Sequence, residues 1–129
     1  PWTSYTPNPA IPDSLLTVGA SQGYWTSALA TTTLTVTGTH PISTVVSLCP
    51  GWNLIGYASL TQRPVAEVLA PIEGQYSIVW TYDAADQQDP WKSYDPSAPD
   101  FVNDLTEMKA WLGYWILTTE ATELTIDGR

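Results

Sequence analysis

Cysteine, histidine, methionine and phenylalanine occur once each in the 129 residues, and basic side chains only four times. Each shortage excludes something. A lone cysteine, Cys49, forms no disulfide framework within the chain, and its expected role is that of a small buried apolar side chain. One histidine and one cysteine leave no ligand set for zinc. Four bases against thirteen acids, a net charge of −9, argue against nucleic acid and anionic membrane as partners, because both require a basic surface. No apolar run approaches the ~20 residues of a transmembrane helix, so no membrane insertion is expected. The length falls short of a (β/α)8 barrel or a complete dinucleotide-binding enzyme, which need roughly 200 residues or more. With neither an initiator methionine nor a signal peptide, the chain reads as a mature form or an excised fragment. The 43% of apolar residues is enough for an ordered core.

Charge is unevenly spread. Residues 1–62 hold one charged side chain, Asp13, and the remaining twelve carboxylates and all four bases fall between Arg63 and Arg129. The uncharged part is rich in Thr, Ser, Pro and Ala, as in the run 30–37, ATTTLTVT. Few lysines, many threonines and a single cysteine fit an exported bacterial protein, a purely compositional inference. No Asn-x-Ser/Thr glycosylation signal is present.

The strongest signal is internal similarity, which outranks local pattern. Residues 1–9, PWTSYTPNP, match 90–98, PWKSYDPSA, and residues 23–38, GYWTSALATTTLTVTG, match 113–128, GYWILTTEATELTIDG. The offset grows by one residue between the two blocks. The chain therefore reads as a partial repeat, 1–38, followed by a complete repeat, 40–129, expected to pack together as one unit.

Local patterns predict mainly strands. Residues 33–37 and 123–127 alternate, with Leu34 and Val36, then Leu124 and Ile126, on one face. Residues 44–48, 52–57 and 76–82 are further strands, the last placing Tyr76, Ile78, Trp80 and Tyr82 together. Pro50-Gly51 is a turn signal and predicts a hairpin between its neighbours. Val65, Val68, Leu69 and Ile72 follow helical spacing, so one short helix is expected at about 61–70, capped by Thr61, with Pro64 in its first turn and an end forced by Pro71. A short helical turn is expected within 101–108. The fold class is mainly β, an antiparallel barrel or sandwich carrying one helix.

The combination GWNLIGY at 51–57, a helix, PWKSYDP, NDLTEM and GYWI…LTIDG resembles a repeat module found in large secreted bacterial surface proteins. The resemblance covers residues 40–128, and 1–38 as a partial copy. It implies export and a non-catalytic role beside other modules, and it carries no catalytic residue. One departure appears: the approach to the second Gly-Tyr-Trp, glycine-rich in that pattern, is Lys109-Ala110-Trp111-Leu112 here.

Catalytic templates fit poorly. Gly19-Ala20-Ser21-Gln22-Gly23 has the spacing of a nucleophile elbow, which requires a preceding strand, a following helix and a longer α/β sheet; the matching stretch 109–113 has no serine, and His40 is the only histidine. Twelve clustered acids offer carboxylate pairs, but nothing singles out two as a glycosidase pair. Asp83, Asp86 and Asp89 lie at intervals of three in one loop, near Asp95. They are the candidate ligands for calcium, which takes six to eight oxygens, against the alternative of a solvated acidic loop.

Aromatics remain. Seven Trp and seven Tyr include the duplicated Trp2/Trp91, Tyr5/Tyr94, Tyr24/Tyr114 and Trp25/Trp115. Duplicated rings are expected mostly in the core, because Trp is highly buried on average. Trp111, matched by Ser21, is the leading ligand-binding candidate, followed by Trp91 and Tyr94. Flat rings on a β scaffold give a large amphipathic contact area at little entropic cost. Two functions follow. One is an extracellular module that binds a polysaccharide or cell-surface glycan; the other is a structural or adhesive repeat packing on neighbouring repeats. Exposed coplanar rings around Trp111 favour the first, and covered rings beside an open strand edge favour the second.

Overall fold

The computed structural model describes residues 2–129; Pro1, which opens the 1–38 stretch, lies outside the described residues. The strands are β1 Ser43–Leu48, β2 Gly51–Gly56, β3 Arg63–Pro64, β4 Tyr76–Tyr82, β5 Trp91–Tyr94, β6 Glu107–Met108, β7 Gly113–Thr118 and β8 Thr122–Asp127. One helix, α1, spans Val65–Leu69, and 3-10 turns occupy Ala70–Ile72 and Asp100–Val102. Every pairing is antiparallel. The fold is therefore mainly antiparallel β with one short helix. The largest sheet, in the order β2-β7-β4-β5, is open, with β2 and β5 as its edges, so it closes no barrel.

Pro50-Gly51 makes a corner and not a hairpin. β1 pairs with β8, and β2 pairs with β7, so the two halves of one long ribbon lie in different sheets. The ladder stops at Leu48↔Thr122 and resumes at Gly51↔Thr118, where a strand pair changes sheets at a bend. Gly51 turns the corner at φ +99°, which a side chain would resist. Asn53 holds it. Its Nδ2 donates to the carbonyls of Cys49 (2.8 Å) and Gly51 (3.0 Å) and to Thr118 Oγ1 (3.1 Å), while its Oδ1 accepts the Cys49 amide (2.9 Å). Thr118 Oγ1 in turn donates to the Cys49 carbonyl at 2.6 Å. Cys49 itself is exposed, against the expectation of a buried thiol: at a corner the backbone does the bonding and the side chain points away.

The core is built from the inward faces of these strands. Ile55, Val79, Tyr114 and Ile116 from the four-stranded sheet meet Val46, Leu48, Leu124 and Ile126 from β1–β8. Val65, Val68, Leu69 and Ile72 close it, all buried as their spacing predicts. The helix begins at Val65 and not at 61, because Arg63 and Pro64 are still extended and pair with Met108 and Glu107. The Val65 amide donates to the Thr106 carbonyl at 3.0 Å, so Thr61 has no amide to cap. Past Leu69 the chain tightens into a 3-10 turn through Pro71, which lacks the amide an α-helix would use. Of the turn expected within 101–108, only Asp100–Val102 is helical; Glu107–Met108 is strand β6.

Two further expectations change. A register shift between Tyr76 and Ile78 turns Tyr76 into the core, while Ile78, Trp80 and Tyr82 stay on the outer face. Residues 33–37 form no strand, and Leu34 and Val36 are exposed. The matching β8 has β1 beside it; 33–37 has no such neighbour, and a strand gains its stability from what it packs on. Every described residue of the buried apolar core lies between Val46 and Ile126.

Candidate functional site

The outer face of the four-stranded sheet carries one tryptophan per strand: Trp52 on β2, Trp115 on β7, Trp80 on β4 and Trp91 on β5. Side chains alternate along a strand, so Tyr114 and Ile116 point to the core and Trp115 between them points out. Trp80 sits directly across from Trp115, and Trp91 across from Tyr82. The four tryptophans line a shallow groove of about 350 Å³. Trp52 and Trp115 meet at 6.5 Å and 86°, Trp80 and Trp91 at 6.4 Å and 77°, and Tyr82 and Trp91 at 5.0 Å and 65°. These are edge-to-face pairs, favourable to each other and not a coplanar platform.

Two more rings come from the N-terminal segment. Trp2 packs on Trp115 at 5.7 Å, and Trp25 packs on Tyr82 at 5.5 Å and on Trp91 at 5.8 Å. Between them the chain runs along the free edge of β2. Gln22 bridges Ile55, the Gly23 amide donates to the Leu54 carbonyl (3.4 Å), and the Gly56 amide donates to the Ser21 carbonyl (3.1 Å). The approach is close enough that a Cβ on Gly56 would stand 2.6 Å from the Ala20 carbonyl oxygen. Local structure in this segment matches the later stretch in one respect. Tyr24 Oη accepts the Gly19 amide (2.8 Å) as Tyr114 Oη accepts the Lys109 amide (2.7 Å), five residues back in each case.

The sequence-predicted residues fall in three places. Trp91 belongs to the tryptophan row. Tyr94, three residues on, lies on the opposite face against the core. Trp111 does not line the groove; it stands 79% exposed in the turn before β7. It is the one described non-glycine residue with positive φ, +72°, a strained conformation for a bulky side chain. Trp52, Trp80 and Trp115 were not singled out by sequence. Alternation placed each on one side of its strand, but only the strand order puts them in one row.

Asp83, Asp86 and Asp89 are not gathered around a common point, and among the described residues no three carboxylate, histidine or cysteine side chains are grouped to hold a metal ion. Lys92 Nζ lies 3.1 Å from Asp86 and 2.9 Å from Asp89, and so supplies the cation there. Asp83 and Asp86 also accept backbone amides two and three residues on, as turn-forming aspartates do. The amide of Asp89, then Lys92, hold the Asp86 carboxyl below its ordinary range. Asp95 is held low by Ser97 through its hydroxyl and amide.

The Gly19–Gly23 spacing does not make a nucleophile elbow. No helix follows Ser21, whose carbonyl is spent on Gly56. His40 lies beside Gly128, at the other end of the long ribbon from Gly56. The strongly shifted groups are structural: burial pushes the Tyr76 and Tyr114 hydroxyls up to about 12.

Comparison with protein-family models, with curated proteins and with solved structures finds no match for this chain.

Proposed function

We propose that this chain is a non-catalytic module of an extracellular repeat protein, and that its outer tryptophan face serves to pack on the adjoining repeat. One observation carries the reading: the partial repeat lays Trp2 and Trp25 on that face, against Trp115, Tyr82 and Trp91. These tilted and edge-to-face contacts are favourable ring-on-ring geometries, and the β2 edge already takes backbone hydrogen bonds from residues 21–23.

Glycan binding is the second reading, favoured by the open groove between Trp52, Trp80, Trp91 and Trp115 and by the exposed Trp111. One pair of measurements separates the two. Each of the three inter-ring contacts is worth ~0.5–1.5 kcal/mol beyond the area it buries. The chain lacking residues 1–42, whose core is intact, is therefore expected to unfold at lower urea concentration than the full chain, and Trp2→Ala/Trp25→Ala is expected to match the truncation. Equal stability of both forms, together with a saturable tryptophan fluorescence shift on titration with a polysaccharide, would overturn the packing reading in favour of glycan binding.

A further inference from the structure

We infer that the outer tryptophan face is a self-interface: it docks the same face of a second copy of the module. The inference rests on the packing reading above and adds the partner and the geometry. Trp2 and Trp25 align with Trp91 and Trp115, and both of those rings point outward in the complete copy. The inward residues of the complete copy, Tyr94, Tyr114, Leu124 and Ile126, align with Tyr5, Tyr24, Leu34 and Val36. All four of these are exposed in the partial copy. The partial copy therefore presses its outward rings, not its core positions, on the outward face of the complete one. Like on like is the signature of an isologous contact.

Charge points the same way. The outward positions of β2, β7, β4 and β5, from Trp52 across to Ser93, carry no carboxylate, lysine, arginine or histidine, in a chain of net charge −9. Two copies can therefore meet here without placing carboxylates opposite each other. Four strands ~4.8 Å apart and six residues ~3.4 Å each span a face of roughly 20 Å by 20 Å. That is about 400 Å² of flat area per copy, below the ~800 Å² per partner of a stable interface between separate chains. A face of this size gives a weak contact between separate chains, which tethering strengthens by raising the effective concentration to about millimolar. The ladder pair Ser43↔Asp127 puts the entry and exit of the module side by side. A linker can thus join the same end of each copy, an arrangement that a two-fold axis parallel to the strands allows.

The test uses the full 129-residue chain. In the wild type the tethered rings of Trp2 and Trp25 occupy the face and the chain sediments at 14.1 kDa. Trp2→Ala/Trp25→Ala uncovers it, and sedimentation equilibrium is expected to show the mass doubling as concentration rises through about 10 µM to 1 mM. Added salt should strengthen the association by screening the net charge. Adding Trp52→Glu, or Ser93→Glu at the other end of the row, should return the 14.1 kDa species. A double variant that keeps its circular dichroism but remains 14.1 kDa at the highest concentration overturns the inference. So does doubling that neither glutamate reverses, since the contact would then lie elsewhere. If the truncation lowers stability as expected while the double variant stays monomeric, the packing reading stands and the like-on-like geometry falls.

Discussion

Asn53 is the side chain whose loss the fold should feel most for its size. Replacing it with alanine removes the two Nδ2 hydrogens, shared among three acceptors, and one accepted bond at the corner where the ribbon changes sheets. At ~0.5–1.5 kcal/mol net per bond, three bonds total about 1.5–4.5 kcal/mol. The lower part of that range applies, because Thr118 Oγ1 still donates to the Cys49 carbonyl and water reaches the exposed corner. The expected loss is about 2–3 kcal/mol, or roughly 10–20 °C in unfolding temperature for a unit of this size. Urea unfolding followed by tryptophan fluorescence reads it directly. Thr118→Val removes the shared hydroxyl, so the double variant should show a coupling of about 0.5–1 kcal/mol or more with Asn53→Ala. A loss below about 0.5 kcal/mol, or strict additivity with Thr118→Val, would refute the argument that this network holds the corner.

Other outcomes follow from the same structure. Trp111→Gly removes a left-handed strain of ~1–2 kcal/mol and costs ~0.5–1 kcal/mol in chain entropy, so the urea midpoint should stay level or rise; a clear fall would mean that the exposed ring packs on something. Asp86, Asp95 and Asp127 have lowered pKa values, from backbone or hydroxyl hydrogen bonds and nearby cations. The stability they lend is present above the unfolded carboxyl value and is lost as pH falls through ~4 and below. Tyr76 and Tyr114, raised to about 12 mainly by burial, act in the opposite sense: their contribution is complete below ~10 and disappears as pH climbs toward 12. A pH series of urea midpoints should therefore fall off at both ends, with two late tyrosines in the ultraviolet titration. Since Lys92 already bridges Asp86 and Asp89, millimolar calcium should leave the unfolding temperature where magnesium leaves it; a saturable, calcium-specific rise would contradict that arrangement.

Local rules were legible where local physics decides. The alternation at 44–48 and 123–127, the helical spacing of Val65, Val68, Leu69 and Ile72, and the stop at Pro71 all appear in the fold. Pairing was not legible. Pro50-Gly51 has the residues of a hairpin turn, but whether the following strand folds back or turns a corner is settled by Asn53 and Thr118, 65 residues apart in the chain. Residues 33–37 carry the pattern of β8 without its partner, and the pattern alone makes no strand. The site was half visible for the same reason. Duplicated tryptophans look like core, because the period of two separates Tyr114 from Trp115 without saying which side faces inward. Only the order β2-β7-β4-β5 assembles Trp52, Trp115, Trp80 and Trp91 into a row.

The central claim is that the N-terminal segment seats Trp2 and Trp25 on the outer face of the four-stranded sheet. Nuclear Overhauser contacts between indole protons test it most directly. The account predicts cross-peaks from Trp2 to Trp115 and from Trp25 to Trp91 and Tyr82, at ring separations of 5.5–5.8 Å. Random-coil shifts through residues 2–42, with no cross-peak from either ring to the sheet, would contradict it.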